Sequence, residues 1–177
     1  MASESVHIAL SNRNQDFLEK LLAEPVPFSD WIATVAFYKA VHVAEAVFAC
    51  KEPAASQHST DHSKRNHLLK TSYPQIWTYY SLLYRASRIA RYLEFQGANH
   101  PTFSSFMSHG RVVSVLLETN LLGVEFESTP LISGAHPLKP FRPPEPLLAV
   151  TQASPLFALP PISARADPSP GKPPASP

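Results

Sequence analysis

The chain contains 177 residues, of which 44% are hydrophobic and 16% charged, which is sufficient for one domain with an apolar core. The formal net charge of +1 gives no whole-chain argument for nucleic-acid binding, although it leaves room for a local basic patch. The single cysteine, Cys50, excludes an intramolecular disulfide and a cysteine-based zinc site, and is typical of a reducing compartment.

No targeting or membrane segment is predicted. The N-terminal sequence MASESVHIAL lacks a basic stretch followed by a long apolar run, as a signal peptide requires. The longest apolar stretch, 31–50, is interrupted by Lys39, His42 and Glu45 and is not a continuous span. We therefore expect a cytoplasmic protein that makes no membrane contact.

Two helices are predicted in the first fifty residues. The first covers 4–22, and the helical spacing of its apolar residues predicts an inward face made of Leu10, Phe17 and Leu21. The second covers 31–49, where nearly every residue is apolar or small, so this helix is expected to be central to the fold.

The central helix carries a polar stripe. Tyr38, His42 and Glu45 are spaced i, i+4, i+7 and share one face. One interpretation, which the pattern favours, is a buried hydrogen-bonded stripe that fixes the register of the bundle. The other is a pocket in which His42, tuned by Glu45, acts as an acid or base.

Two further helices follow a polar insert. The first is short, 62–69, with Thr60 or Asp61 as its N-cap. The second covers 75–95, and its periodicity predicts a buried face. The members of that face are Ile76, Tyr80, Leu83, Ser87 and Ala90.

The last helical pattern is GRVVSVLLETNLL, residues 110–122, and no sustained period follows it. Of the 19 prolines, 5 precede residue 130 and the other 14 lie from Pro130 onward, and prolines break helices. The predicted fold is therefore all-α, an up-and-down bundle of four to five helices over residues 1–128, with a disordered proline-rich tail over residues 129–177.

The histidine-rich insert offers a first candidate site. His58 and His62 are four residues apart with Asp61 beside them, but His62 and His67 do not share a helical face, so a metal site is not predicted. No cofactor is predicted either, because the chain has no phosphate-binding glycine loop.

Arginines and tyrosines interleave on the long helix 75–95 and form a second candidate site. Such a pattern suits phosphate contacts and base stacking, or a solvated arginine face above packed tyrosine rings. The residues concerned are Tyr80, Tyr84, Arg85, Arg88 and Arg91.

Three segments together resemble the HEPN superfamily, and in particular a bacterial branch of small HEPN-like proteins. They read DWIATVAFYKAVHVAEAVFA, HSTDHSKRNHLL and YYSLLYRASRIARYL, and the resemblance covers roughly residues 5–127. It implies a helical bundle that forms a homodimer. It also implies an RNA- or nucleotide-associated role, possible metal-independent endoribonuclease activity, and a defence or toxin–antitoxin setting with an antitoxin-type protein partner.

In HEPN ribonucleases four to six residues separate an arginine from the histidine that follows it, and no arginine of this chain is followed by a histidine at that spacing. If the protein cleaves RNA, the catalytic candidates are His62, Arg65 and His67 with His42 behind them. Tyr38, Glu45, Tyr80, Tyr84, Arg85, Arg88 and Arg91 are the binding candidates. The alternative is a non-catalytic, dimerising interaction module.

Overall fold

The structure, a computed structural model, describes residues 3–51 and 61–143. These residues belong to one compact unit, Met1–Glu145. The elements in chain order are α1 (Glu4–Ala23), α2 (Ser29–Lys51), α3 (His62–Ser72), α4 (Pro74–Tyr92), β1 (Glu94–Phe95), β2 (Ala98–Asn99), α5 (Phe103–Phe106), α6 (His109–Arg111), a π-helix (Val112–Leu121), α7 (Leu122–Ser128) and a 3-10 helix (Thr129–Leu131). The all-α prediction is confirmed.

Helix α2 is the centre of the bundle. It packs against α1 on one side and against α4, the π-helix and α7 on others. Its residues from Ile32 to Phe37 and from Val43 to Phe48 are buried, as the nearly continuous apolar sequence predicts. The helix is long and apolar enough to cross a membrane by length and composition alone, but 83% of that apolar window is buried inside the protein.

Helix α1 presents a different face from the one predicted. Ile8, Ser11, Gln15 and Leu18 are buried, whereas the side chain of Phe17 is 45% exposed. The helix is rotated relative to the prediction because polar as well as apolar residues of α1 contact α2. Gln15 is the clearest case, because its carbonyl oxygen accepts a hydrogen bond from a buried lysine of α2.

Helix α4 buries Ile76, Tyr80, Leu83 and Ser87, as its periodicity predicts. It ends at Tyr92 rather than Phe95, since Leu93 adopts a left-handed conformation with φ of 53°. The residues that follow form a β1–β2 hairpin, whose turn places Gly97 at φ of 79°. Glycine adopts that backbone conformation without steric cost.

Helix α6, the π-helix and α7 follow one another without a break, and we call them together the terminal helix. The predicted segment 110–122 covers only part of it. The wide π turn is accompanied by a side-chain bond, in which Asn120 Nδ2 donates to the carbonyl oxygen of Val115 at 2.6 Å. Near its end the terminal helix approaches α4 so closely that a Cβ placed on Gly123 would lie 2.4 Å from the ring of Tyr79.

Residues 132–143, which we call the strap, run back across the bundle. Asn12 of α1 holds the strap through two bonds, donating to the carbonyl of Pro137 at 3.0 Å and accepting from the amide of Lys139 at 2.7 Å. Phe141 is 2% exposed. The predicted disordered tail therefore does not begin at residue 129, and its remainder, 144–177, lies outside the described residues.

Lys39 is fully buried where the strap, α1, α2 and α7 meet. Its ammonium group forms a salt bridge with Glu125 and donates to Gln15 Oε1 at 2.9 Å and to the carbonyl of Lys139 at 2.8 Å. The other carboxylate oxygen of Glu125 accepts from the amide of Phe141 at 2.8 Å. Burial lowers the pKa of Lys39, and the charge of Glu125 opposes that shift.

Candidate nucleic-acid interface

Helix α3 orients the histidines and the arginine of the polar insert. Asp61 caps it, since its side chain accepts a hydrogen bond from the amide of Lys64 at 2.7 Å. With about 3.6 residues per turn, His62 and Arg65 lie on the side facing the bundle and His67 lies on the outer side. Arg65 is buried and His67 is exposed. His58 lies outside the described residues.

Arg65 joins α3 to the central helix. Its Nε donates to Glu45 Oε1 at 2.6 Å, and its Nη1 lies 3.0 Å from His62 Nδ1. Arg65 is 8% exposed and Glu45 4% exposed. A guanidinium that is buried against a carboxylate is poorly placed to receive an incoming phosphate.

His62 sits at the edge of an aromatic cluster. The centroid of its ring lies 5.5 Å from that of Phe37 and 5.9 Å from that of Tyr84. Burial lowers the pKa of His62, and the positive charges of Arg65, Arg91 and Arg88 lower it further. The neutral imidazole is therefore favoured, in a setting surrounded by cations.

His42 faces α1. Its Nδ1 lies 3.4 Å from Nδ1 of His7, so one ring donates and the other accepts. Burial lowers the pKa of His42 to about 4, the charges of His7 and Arg65 act in the same direction, and Glu45 opposes them. Two members of the polar stripe predicted on α2, His42 and Glu45, therefore lie in the interior, whereas the third, Tyr38, is 37% exposed.

An open groove of about 710 Å³ lies between the outer sides of α3 and α4, and reaches the β1–β2 hairpin. Its walls carry cations and aromatic rings, and none of its lining residues within 61–143 is acidic. The side chains that matter to the argument are Asn66, His67, Lys70, Trp77, Tyr84 and Arg85. Lys70 Nζ stands 4.7 Å from the centre of the Trp77 ring.

The three arginines of α4 lie near aromatic rings, with Arg85 exposed and Arg88 and Arg91 half-buried. Arg85 lies 5.9 Å from the ring centre of Phe95, and Arg88 lies 4.8 Å from that of Tyr92. Arg91 donates from Nη1 to the hydroxyl of Tyr38 at 3.1 Å.

The sequence-predicted residues therefore fall into two groups. His42, Glu45, His62, Arg65 and Tyr80 lie in or against the interior. The second group, at the surface of the groove and of α4, comprises Tyr38, His67, Tyr84, Arg85, Arg88 and Arg91. The single cleft in which His62, Arg65, His67 and His42 would act together is not formed by the described residues.

Sequence reasoning missed several residues of the groove and the whole Lys39 cluster. Neither Lys70 nor Trp77 carries a functional signal in the sequence, because the two residues become neighbours only when α3 packs against α4. The sequence pattern identifies Lys39 as an interruption of an apolar helix but does not identify it as a buried charge. Its position amid apolar residues was the available signal, because a charge inside a core needs partners.

No protein-family model, curated protein or solved structure matches the chain. Among residues 3–51 and 61–143, no group of three or more His, Cys, Asp or Glu side chains is placed to hold a metal ion.

Proposed function

We propose that this protein is an RNA-associated helical bundle that binds single-stranded RNA along the outer face of α4. The composition of the α3–α4 groove is the observation that carries this proposal. Lys70 and Arg85 supply positive charge, Trp77 and Tyr84 supply rings, and the part of the lining that the structure describes contains no carboxylate. Cations that follow the phosphates and aromatic rings that stack on bases are the recurring elements of single-strand binding sites.

The surface continues beyond the groove. Arg88 and Arg91 follow at three-residue intervals, with Tyr92 and Tyr38 in contact with them. From Trp77 to Arg91 the helix rises about 21 Å, a length that several nucleotides of an extended RNA strand would span. A single strand suits this site better than a duplex, since paired bases cannot stack on the protein's rings.

Binding is tested by fluorescence anisotropy with a labelled single-stranded RNA of mixed sequence over a series of KCl concentrations. The variant Lys70→Ala/Arg85→Ala removes two groove cations, and Arg13→Ala/Lys20→Ala removes the same charge from the surface of α1. The groove variant is expected to bind more weakly and to reduce the slope of log K against log salt by about 1.4, or about 0.7 for each lost phosphate contact. Equal weakening by both variants would overturn the assignment to the groove, and an absence of binding would overturn the function.

Metal-independent cleavage of the bound RNA is a second candidate, supported by the position of His62. Its neutral imidazole lies where the charges of Arg88 and Arg91 act. As a base it would take the proton of a ribose 2′-hydroxyl, whose oxygen attacks the adjacent phosphorus. The bond to the 5′-oxygen breaks, and the protonated His62 would return its proton, directly or through water, to that oxygen, which leaves a 2′,3′-cyclic phosphate and a 5′-hydroxyl. The two arginines would stabilise the charge that develops on phosphate.

Cleavage is tested in the presence of a chelator with the wild type, His62→Ala and His67→Ala. Loss of cleavage in His62→Ala alone would support the His62 assignment. Loss in His67→Ala alone would move the base to the groove, and an inert wild type that still binds RNA would leave binding as the function. The homodimer and the antitoxin-type partner stay predictions of the HEPN resemblance.

A further inference from the structure

The side chain of Trp31 is exposed, although it is large and mostly apolar. It lies in the first turn of α2, and 57% of its surface is accessible to solvent. It forms part of the wall of a cavity of about 430 Å³ between α2 and the end of α4, which we call the Trp31 pocket. The pocket is lined by Asp30, Trp31, Thr34, Tyr38, Ala90 and Arg91. An exposed indole beside a cavity is a flat surface that a ligand can reach and stack on.

Arg91 brings a positive charge to the Trp31 pocket. Its Nε donates to the carbonyl oxygen of Ser87 and its Nη1 to the hydroxyl of Tyr38, each at 3.1 Å. The guanidinium also lies 5.6 Å from the centre of the Tyr38 ring and 5.3 Å from that of the Tyr92 ring. The bond to Tyr38 lies at the surface, so the charge is within reach of a negative group beside the pocket.

The Trp31 pocket lies at the far end of the surface proposed above for RNA. Trp77 in the α3–α4 groove and Arg91 in the pocket are separated by close to four turns of α4, so both lie on the same side of that helix. Arg88 follows Trp77 by about three turns and lies between them on that side. The groove and the pocket are therefore the two ends of one surface, and each end carries a tryptophan.

We propose that the Trp31 pocket is a second stacking subsite, in which a base of the bound RNA strand stacks on the indole of Trp31 while Arg88 and Arg91 contact the phosphates that lead to it. The proposal rests on the RNA-binding function argued above. The carboxylate of Asp30 in the pocket wall repels a phosphate, so the pocket suits a base better than the backbone. Every base has a flat face, so the subsite binds without base preference.

Trp31 and Trp77 are the only tryptophans of the chain, so the fluorescence of Trp31 can report its own contact with RNA. In Trp77→Phe the indole emission comes from Trp31 alone, and the phenyl ring keeps an aromatic surface in the groove. Saturation of this variant with an oligouridine of about nine nucleotides, followed by anisotropy of a label on the RNA, is expected to quench the Trp31 emission, because a stacked base quenches indole fluorescence.

The affinity for the same oligouridine provides the second readout. Trp31→Ala is expected to weaken binding at least about fivefold, the lower end of what one stacked base contributes. Trp31→Phe keeps a ring and is expected to recover most of the affinity. The slope of log K against log salt is expected to stay that of the wild type in both variants, because neither removes a charge.

The matched control is Phe126→Ala, which removes an aromatic ring that is 77% exposed and lines a different cavity, between α7 and the strap. It is expected to bind RNA as the wild type does. Trp31 and Phe126 are both exposed, so both alanine variants are expected to keep the midpoint of thermal unfolding. A loss of affinity confined to Trp31→Ala would then not reflect unfolding.

Three results would overturn the inference while leaving RNA binding intact. Trp31→Ala could bind the oligouridine as tightly as the wild type, Trp31→Ala and Phe126→Ala could weaken binding equally, or the emission of Trp31 could stay unchanged at saturating RNA. A wild type that binds no RNA would overturn both this inference and the proposed function.

Discussion

Arg65 and Glu45 are joined inside the protein, with Nε of the guanidinium 2.6 Å from Oε1 of the carboxylate. The pair connects α3 to the central helix and places the outer side of α3 against the groove. A close pair of this kind contributes little net free energy over an apolar pair of the same volume, but the removal of one partner leaves a buried charge without its counter-ion.

Replacing one member of this pair is expected to be costly. Glu45→Leu should lower the free energy of unfolding by about 3–5 kcal/mol, measured by urea denaturation. The double variant Glu45→Leu/Arg65→Leu should recover much of that loss. Lys64→Ala is the control, because Lys64 and Asp61 form an exposed pair at 4.0 Å whose loss costs less than about 0.5 kcal/mol. A Glu45→Leu variant as stable as Lys64→Ala would contradict the prediction.

The strap is expected to be a structural part of the bundle. Phe141→Ala should destabilise the protein by about 3–5 kcal/mol, because it empties a buried aromatic site. Phe126→Ala makes the same chemical change at a side chain that is 77% exposed, and should change the stability by no more than about 0.5 kcal/mol. Equal denaturation midpoints for the two variants would mean that the strap does not contribute to the core.

The close approach of the terminal helix to α4 requires a glycine. Gly123→Ala places a methyl group against the ring of Tyr79 and should destabilise by about 1–3 kcal/mol in thermal unfolding. Gly110→Ala meets no atom within 4 Å and should instead stabilise by about 1 kcal/mol. The combination Gly123→Ala/Tyr79→Ala should cost less than the sum of its single changes, and strict additivity would show that the two residues do not clash.

The free energy of unfolding should fall at acidic pH because of the protonation of His42. Its pKa is about 4 in the folded protein against 6.5 for the free side chain, so between these values the unfolded chain binds more protons. Stability should therefore decline as the pH drops from about 6.5 through 4. The contribution is on the order of 1–2 kcal/mol, since partial exposure screens it. His42→Gln should flatten this part of the stability–pH curve and His67→Gln should not, which urea titrations at stepped pH would show.

Strong apolar periodicity allowed much of the helical architecture to be predicted. The buried face of α4 through Ile76, Tyr80 and Leu83 follows from that pattern. On α1 the same rule selected Phe17, which is exposed, because Gln15 faces inward to meet Lys39. A hydrophobic pattern does not predict which polar residues are buried against partners from a distant part of the chain.

The site was harder to predict because it depends on which face of α3 turns inward. The sequence shows His62, Arg65 and His67 as one cluster, but the helix keeps only His62 and Arg65 together, with Arg65 directed to Glu45, and turns His67 to the groove. Proline content was a poor guide to order in residues 129–143. Such a segment can pack without a helix when its backbone finds acceptors and donors on neighbouring side chains, as the strap does with Asn12.

The position of the strap also sets an order for folding during synthesis. Lys39 and the carbonyl of Lys139 that accepts its hydrogen bond lie 100 residues apart in the chain. At about 5–20 residues per second, a ribosome reaches the second partner about 5–20 seconds after the first. During that interval the buried lysine of the central helix lacks this last acceptor, so its hydrogen bonds are complete only once the strap has been made.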